Sequence, residues 1–182
     1  TRATLTRATL TRATLTRAAV MRIGQGFDAH RFGDETGEYE IMLGGCSIPH
    51  DRALIAHSDG DVAIHALVDA LLGALALGDI GAHFPDQDPA FQGIDSRELL
   101  RAAYQKVTAA GYVLGNADIT IIAEKPRIGS HADDMRRILA TDLDADVSQV
   151  SIKATTTEKM GYLGREEGIA AQAIVLLESA GP

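Results

Sequence analysis

Directly after Met21, apolar residues alternate with small and polar ones, and this pattern predicts two strands. The segment MRIGQGFDAHRF (21–32) spaces Ile23, Phe27 and Ala29 among small residues, which is typical of a strand. The segment YEIMLGGCSIP (39–49) predicts a second strand. The acidic stretch GDETGE between them predicts a turn. The pattern therefore opens with β structure.

Helical periodicity follows in three places. The apolar segment at 61–77 predicts a first helix that ends at Gly78. A second helix begins near a possible capping box of Asp95 and Glu98 and ends at Gly111. The segment HADDMRRILATDL predicts a third helix. The Gly-, Pro- and Asp-rich loop between the first two helices is long, and long loops without a pattern of their own are often functional.

Three further strands complete the predicted elements. They are NADITIIAE (116–124), VSIKAT (150–155) and GIAAQAIVLLES (168–179). The last is almost entirely apolar, which predicts burial on both of its faces. No linker divides the series. The sequence therefore predicts a single α+β domain, with a mixed β-sheet and helices packed on one face of that sheet.

The first twenty residues differ from the rest. TRATLTRATLTRATLTRAAV repeats a five-residue unit, a period that fits neither a helix nor a strand. The segment contains Arg, Thr and Ala but no acidic residue, and in this it superficially resembles a transit peptide. The literal repetition favours a tag, or translated upstream sequence before Met21. We expect residues 1–20 to be a non-native or disordered leader and residues 21–182 to form the domain.

The net charge of the domain limits the classes of partner that it can bind. The chain carries a net charge of −8, but the leader contributes four arginines and no acids, so without it 13 basic residues stand against 25 acidic ones. Such an acidic domain lacks the electrostatic footprint of a nucleic-acid-binding protein. No uninterrupted apolar run is long enough for a membrane span. The single cysteine, Cys46, excludes an intramolecular disulfide and fits a reducing cytoplasm.

One polar stripe interrupts the apolar first helix. Asp61, His65 and Asp69 recur every four residues and so share one face. Asp28 and His30 are two apart on the first strand and point to one side. Together with His65 they supply one carboxylate and two imidazoles, a donor set that binds zinc and leaves a position open. Asp61 or Asp69 would then lie just outside the ligands. The alternative is a satisfied core histidine and an aspartate that caps a turn.

Two more polar clusters stand out. The sequence predicts that His57 and Ser58 lie at the N-terminus of the first helix, where free amides favour anions, although simple capping by Ser58 or Asp59 is an alternative. The segment KATTTEKMGYLGREEG (153–168) offers threonine hydroxyls and backbone amides for phosphate oxygens. Its Glu158 could bind a hard cation such as Mg²⁺. Here the alternative is a polar turn at a strand end.

Five segments resemble one known family, in order and in register. They are GFDAHRF, IPHDRALIAHSDGDVAIHALVDALLGALALGDIGAHFPD, DSRELL, AEKPRI and KATTTEKMGYLGREEGIA. The chain resembles the 2-C-methyl-D-erythritol 2,4-cyclodiphosphate synthase family of the non-mevalonate isoprenoid pathway from Met21 to about Leu177. The resemblance implies a phosphorus–oxygen lyase. In it the 2-phosphate of 4-CDP-2-C-methyl-D-erythritol 2-phosphate attacks the β-phosphate of the same molecule, giving a cyclic diphosphate and CMP.

The resemblance also implies site residues and assembly. Zinc would bind Asp28, His30 and His65, Mg²⁺ or Mn²⁺ would bind Glu158, and His57 and Thr156 would stabilise the transition state. The positions expected at the substrate are Ser58, Asp79, Ile80, Gly81, Phe84 and Asp86 for the methylerythritol and its phosphate, Ala123, Glu124, Lys125, Pro126, Arg127, Ile128, Gly129, Ala154 and Thr155 for the cytidine and diphosphate, and Thr157, Tyr162 and Arg165 in the same motif. The family forms homotrimers with sites between subunits. The apolar last strand could line the central axis, with residues 165–167 gathered near one end of it.

Other functions remain open from the residues alone. A phosphoester hydrolase could use zinc-bound water with the same ligands. A binding module with structural zinc fits less well, because such sites are usually rich in cysteine and Cys46 lies in another segment. The last strand could equally be a central strand of a monomer. No segment resembles a cytidylyltransferase, so we expect a monofunctional enzyme. From the single cysteine, the acidic charge and the lack of a long apolar run, we expect it to be cytoplasmic, without nucleic-acid or membrane partners.

Overall fold

The computed structural model describes residues 20–85 and 88–181. The expected leader, apart from Val20, and the expected substrate contact of Asp86 therefore lie outside the described residues. The strands are β1 (Met21–Arg31), β2 (Tyr39–Leu43), β3 (Cys46–His50), β4 (Tyr112–Ile122), β5 (Val150–Thr155) and β6 (Gly168–Ser179). The helices are α1 (Val62–Ala74), α2 (Ile80–His83), α3 (Ser96–Ala109), α4 (Ala132–Asp142) and α5 (Gly161–Gly164).

Four strands form the main sheet, in the order β1-β6-β4-β5. Strand β6 is antiparallel to both β1 and β4, whereas β5 runs parallel to β4 after a crossover through α4. Strands β2 and β3 form a separate antiparallel hairpin. Helices α1, α3 and α4 pack on one face of the sheet. The predicted single α+β domain with a mixed sheet is therefore confirmed.

Helix α1 packs directly on β1 because β1 has glycines where the two backbones meet. A Cβ on Gly24 would lie 1.8 Å from the carbonyl oxygen of Ala70, and one on Gly26 would lie 2.0 Å from that of Ala66. Alternate residues of a strand share a face. Asp28 and His30 continue the alternation of these two glycines, so their side chains also face α1.

The opposite face of the sheet is open. Ile23, Phe27 and Ile174 lie there with 73%, 52% and 45% of their surface exposed. The prediction that β6 is buried on both faces is wrong beyond Ala171, because exposed and buried residues alternate from Gln172 onward. The physical reason is that the helices cover only one side of the sheet.

The predicted single strand at 39–49 is also wrong, since the chain reverses within it. Gly44 and Gly45 take positive φ values of 58° and 78° and form the turn between β2 and β3. The buried carboxylate of Asp61 accepts hydrogen bonds from both of these amides, at 2.9 and 2.7 Å. The same carboxylate caps the N-terminus of α1. Asp61 therefore ties the hairpin to the start of the helix.

Helix ends differ slightly from the predictions. Helix α1 stops at Ala74, before the predicted end, and Ala76 already has a φ of +56°. Asp95 caps α3 through the amide of Arg97, but the structure records no reciprocal bond from Glu98 that would complete a capping box. Among the helices of residues 20–85 and 88–181, none has the length and apolarity that crossing a membrane requires.

Candidate active site

Three side chains converge between β1 and α1. The Oδ2 atom of Asp28 lies 3.0 Å from Nδ1 of His65 and 3.2 Å from Nε2 of His30, and the two imidazole nitrogens are 3.0 Å apart. All three side chains are at least partly buried. The structure therefore brings the three predicted zinc ligands together, with one ligand atom of each directed at a common point. We refer to Asp28, His30 and His65 as the metal cluster.

The donor set fits a tetrahedral divalent ion. Zinc bound at about 2.05 Å separates its ligand atoms by about 3.3 Å, close to the observed spacing. Burial acts to raise the pKa of Asp28, but the bond to His65 and the two imidazoles leave that pKa lowered. Burial acts to lower the pKa of His65, yet the bond and charge of Asp28 leave it raised. The carboxylate thus favours positive charge at this point, whether a proton or a metal ion supplies it.

The other nitrogen of His65 is held by hydroxyl groups. Its Nε2 lies 2.9 Å from Oγ of Ser96 and 3.1 Å from Oγ of Ser58. The Ser96 hydroxyl in turn donates to Asp59. An imidazole that ligates through Nδ1 carries its proton on Nε2, so one of these hydroxyl oxygens would accept a hydrogen bond from that N–H group.

The polar stripe of α1 serves three different contacts. Asp61 bonds the hairpin, His65 joins the metal cluster, and Asp69 accepts a hydrogen bond from the amide of Ile80 at 2.7 Å. Burial raises the pKa of the Asp69 carboxyl. Asp69 therefore holds the start of α2 against α1. Neither aspartate is part of the three-residue ligand cluster.

A cavity of about 340 Å³ opens beside the metal cluster. It is lined by Asp28, His30, Ile55, Ala56, His57, Ser58, His65, Ile80, Gly81, Phe84, Phe91, Ile94 and Leu99. Most of the positions expected at the methylerythritol phosphate are among them. Asp79 is exposed and caps α2 through the amide of Ala82. The expectation that His57 and Ser58 sit at the α1 N-terminus is wrong, since Asp61 caps that helix and both lie in the preceding loop.

A second cavity, of about 470 Å³, lies where β4 and β5 end. It is lined by Ala123, Glu124, Pro126, Arg127, Ile128, Ala154, Thr155 and Thr156. Glu124 also joins two loops beside this cavity, because its Oε1 accepts hydrogen bonds from the amides of Thr157 and Lys159, both at 3.1 Å. Lys125 is directed elsewhere and pairs with Glu166 at 3.2 Å. Most residues expected at the cytidine and diphosphate are therefore neighbours, and Gly129 is exposed in the same loop.

The loop after β5 carries the candidate for a second cation. Glu158 and Lys159 both have left-handed φ values, 52° and 62°. The exposed carboxylate of Glu158 lies 3.5 Å from the hydroxyl of Thr156. Two further motif residues are also exposed: Tyr162 in α5, and Arg165, which donates to Glu167 at 2.6 Å. The charges at 165–167 thus form pairs within one chain.

The two cavities lie at opposite edges of the sheet. They share no lining residue. Asp28 on β1 and Ala154 on β5 occupy one row of the sheet, joined through Ala171 and Ile121. Three strand spacings separate them by about 14 Å. Each chain therefore presents two separate cavities, one beside Asp28, His30 and His65 and one at the ends of β4 and β5.

The sequence prediction missed two residues next to the metal cluster. Ser96, which is fully buried, reaches His65 from the first turn of α3, and Asp59 fixes Ser96. For Asp59 the sequence predicts no more than a possible helix cap. Ser96 stands beside a correctly predicted helix start. The signal in the sequence is the serine of the DSRELL segment. The helix itself supplies no partner for this hydroxyl, so its presence indicates a contact with another element.

Comparison with known proteins places the chain in a family. The model of the YgbB family matches residues 21–178. The 2-C-methyl-D-erythritol 2,4-cyclodiphosphate synthase of Cronobacter sakazakii is 60% identical over 161 residues, which cover 88% of this chain and 99% of the relative. The protein of the same name from Vibrio cholerae is 58% identical and is covered completely, again by 88% of this chain.

Solved structures of related proteins have the same fold. A CDP complex of IspF from Plasmodium falciparum superposes with a TM-score of 0.77 at 36% identity, covering 88% of this chain and 97% of that one. The bifunctional IspDF of Campylobacter jejuni gives a TM-score of 0.84 at 42% identity, covering 90% of this chain and 44% of that longer one. The chain is therefore an enzyme of the YgbB family, that of the 2-C-methyl-D-erythritol 2,4-cyclodiphosphate synthases.

Proposed function

We propose that this chain converts 4-CDP-2-C-methyl-D-erythritol 2-phosphate into 2-C-methyl-D-erythritol 2,4-cyclodiphosphate and CMP at its Asp28–His30–His65 centre. The observation that carries the proposal is the convergence of these three ligand atoms, 3.0–3.2 Å apart, beside a cavity. A three-ligand site that opens onto a cavity is typical of catalytic rather than structural zinc.

The reaction needs no nucleophile from the protein. An oxygen of the 2-phosphate forms a bond to the β-phosphorus, the bond from that phosphorus to the bridging oxygen breaks, and CMP leaves with the electron pair. The task of the site is to bring two anionic groups together in line. When bound, zinc polarises the β-phosphate, and a second divalent cation at Glu158 offsets the charge of the diphosphate.

Two further hydrogen-bond donors of the chain would complete the metal half of the site. Ser58 lines the cavity beside His65, which supports a role in which its hydroxyl would donate to a phosphate oxygen. His57 lines the same cavity and would donate to the charge that develops in the transition state. Asp69 supports this wall by holding the amide of Ile80.

The second half of the site would bind the nucleotide. Thr155 and Thr156 line its cavity with hydroxyl groups suited to phosphate oxygens. The loop at 123–129 would select cytidine with backbone groups, which fits its lack of a distinctive side-chain pattern. Glu124 supports both parts, because it holds the loop of Thr157 and Lys159 against the 123–129 loop.

We infer further that three chains assemble so that each active site combines the metal half of one chain with the nucleotide half of its neighbour. Two observations support this. The half-sites lie at opposite edges of the sheet and share no lining residue. The uncovered sheet face exposes Ile23, Phe27 and Ile174, which a closed cyclic assembly would bury.

Phosphorus NMR of a reaction with the CDP substrate, zinc and Mg²⁺ tests the reaction. We expect the signals of a cyclic diphosphate and of CMP in equal amounts. Release of inorganic phosphate would instead indicate a hydrolase, and binding of substrate without turnover would indicate a binding module. The Asp28→Asn variant is the matched control, since it keeps the shape of the side chain and removes the negative charge of the cluster.

A further inference from the structure

The Nε2 atom of His65 has two hydroxyl groups within hydrogen-bond distance but only one proton to share. Ser96 Oγ lies at 2.9 Å and Ser58 Oγ at 3.1 Å. The two serines differ in position. Ser58 lines the cavity beside the metal cluster, whereas Ser96 is fully buried and out of reach of any ligand.

Ser96 is fixed as an acceptor toward His65. Its hydroxyl donates to Oδ1 of Asp59 at 2.5 Å, and its backbone amide donates to Oδ2 of Asp59 at 3.1 Å. A serine hydroxyl has one proton and two lone pairs. Because the proton is used by Asp59, a lone pair remains for the Nε2 proton of His65.

The Asp59 carboxylate is itself held in place. Its Oδ1 accepts a bond from the amide of Asp61 at 3.2 Å. It also lies at the first residue of the 14-residue helix α3, where the helix dipole and free amides favour a negative charge. Asp59 and Ser96 therefore present one fixed acceptor, the Ser96 hydroxyl oxygen, to His65. The loop before α1 and the first residue of α3 both hold this pair in place.

We propose that Asp59 and Ser96 are positioning residues for the metal site, because they hold His65 with its proton on Nε2 and its Nδ1 lone pair toward the metal. In doing so they leave the Ser58 hydroxyl for the substrate. The inference rests on the proposed function for the presence of the metal. An outer partner that fixes the tautomer and orientation of a ligating histidine commonly strengthens metal binding.

Zinc affinity tests this without requiring turnover. Metal is stripped from the protein, and zinc is titrated back in competition with a chromogenic chelator. Because Ser58 could replace Ser96 at 3.1 Å, the comparison is made between Ser58→Ala and the double variant Ser58→Ala/Ser96→Ala. We expect the double variant to bind zinc about 10- to 100-fold more weakly than Ser58→Ala alone. Equal affinities would overturn the inference.

Two controls separate position from folding. The melting temperatures of the metal-free proteins are compared, and an affinity loss in a double variant that melts like Ser58→Ala supports a positioning role. If the double variant does not fold, Asp59→Asn is introduced into the Ser58→Ala protein and compared with Ser58→Ala alone. Asn offers one acceptor where Asp59 uses two, so weaker zinc binding is again expected, and unchanged binding contradicts the inference. Failure of the unmodified protein to bind zinc would instead count against the proposed function.

Discussion

Gly26 of β1 lies so close to Ala66 of α1 that a Cβ on the glycine would stand 2.0 Å from the Ala66 carbonyl oxygen. No side chain other than hydrogen fits that gap. Asp28 follows two residues later on the same face, and His65 immediately precedes Ala66. The close approach of strand and helix is therefore what brings the ligands of the two elements within 3.0 Å.

Gly26→Ala should destabilise the protein by about 1–3 kcal/mol or more, because the contact is with backbone that cannot turn aside. It should also weaken zinc binding as β1 moves away from α1. Gly73→Ala is the matched control in the same layer, since its Cβ would meet only the Gln25 carbonyl oxygen at 3.8 Å. That variant should be more stable by about 0.5–1 kcal/mol. Chemical denaturation measures both; equal effects would show that the packing is not tight.

His65→Ala should lose zinc and lower kcat/KM at least about a thousandfold, since a catalytic metal contributes several kcal/mol. Two ligands hold the ion far less well than three. Metal analysis after dialysis, together with circular dichroism, checks the outcome. His131→Ala serves as the control, because that imidazole lies outside the metal cluster and makes no capping bond to α4. One zinc per chain in well-folded His65→Ala would rule out the assigned ligand.

Glu158→Gln should retain zinc and require a much higher Mg²⁺ concentration for half-maximal rate. A hard cation binds a neutral amide less well than a carboxylate, and the backbone of this exposed side chain should not change. Glu166→Gln provides the comparison, since that carboxylate is paired with Lys125. The measurement is the rate against Mg²⁺ concentration at fixed zinc. An unchanged Mg²⁺ dependence in Glu158→Gln would place the second cation elsewhere.

Removal of residues 1–19 should leave both activity and melting temperature unchanged, because a five-residue repeat has no structural period. Removal of residues 1–20 also deletes two hydrogen bonds, one from the Ser179 amide to the Val20 carbonyl at 3.0 Å and one from the Val20 amide to the Ser179 hydroxyl at 3.2 Å. Each such exposed bond contributes about 1 kcal/mol, or about 2–4 °C in a chain of this size. Thermal melts of the two truncated proteins check this. A clear fall in melting temperature on removal of residues 1–19 alone would show that the leader packs on the domain.

The grouping of Asp28, His30 and His65 could be predicted from spacing because each lies in a regular element. Spacing alone leaves a core histidine and a capping aspartate as the alternative, and the family resemblance decides in favour of metal ligands. Strand alternation places Asp28 and His30 on one side, and the apolar face of α1 directs His65 inward. Ser96 could not be found in this way, since its contact with His65 arises from the packing of α3 against α1, 31 residues along the chain. The periodicity of residues within one helix does not indicate which other helix it packs against.

The errors in the fold have similar causes. Apolar residues lie on both sides of Gly44 and Gly45, so the sequence pattern resembles one strand and does not indicate the turn between β2 and β3. The apolar composition of β6 predicts more burial than the structure shows, because composition does not tell which sheet face the helices cover. Ile174 is apolar and exposed, which burial in an assembly would explain but the sequence of one chain cannot.

The activity of trimers refolded from two inactive variants tests the proposed two-chain active site most directly. His65→Ala removes the metal half, and Ala154→Trp fills the nucleotide half at an exposed position. The two are unfolded together, refolded, confirmed as mixed by native mass spectrometry, and assayed for CMP release. Random mixing of equal amounts in a cyclic trimer leaves about a quarter of the sites with two intact halves, so about a quarter of normal activity should return. Mixed trimers that stay inactive would show that each site is built within one chain.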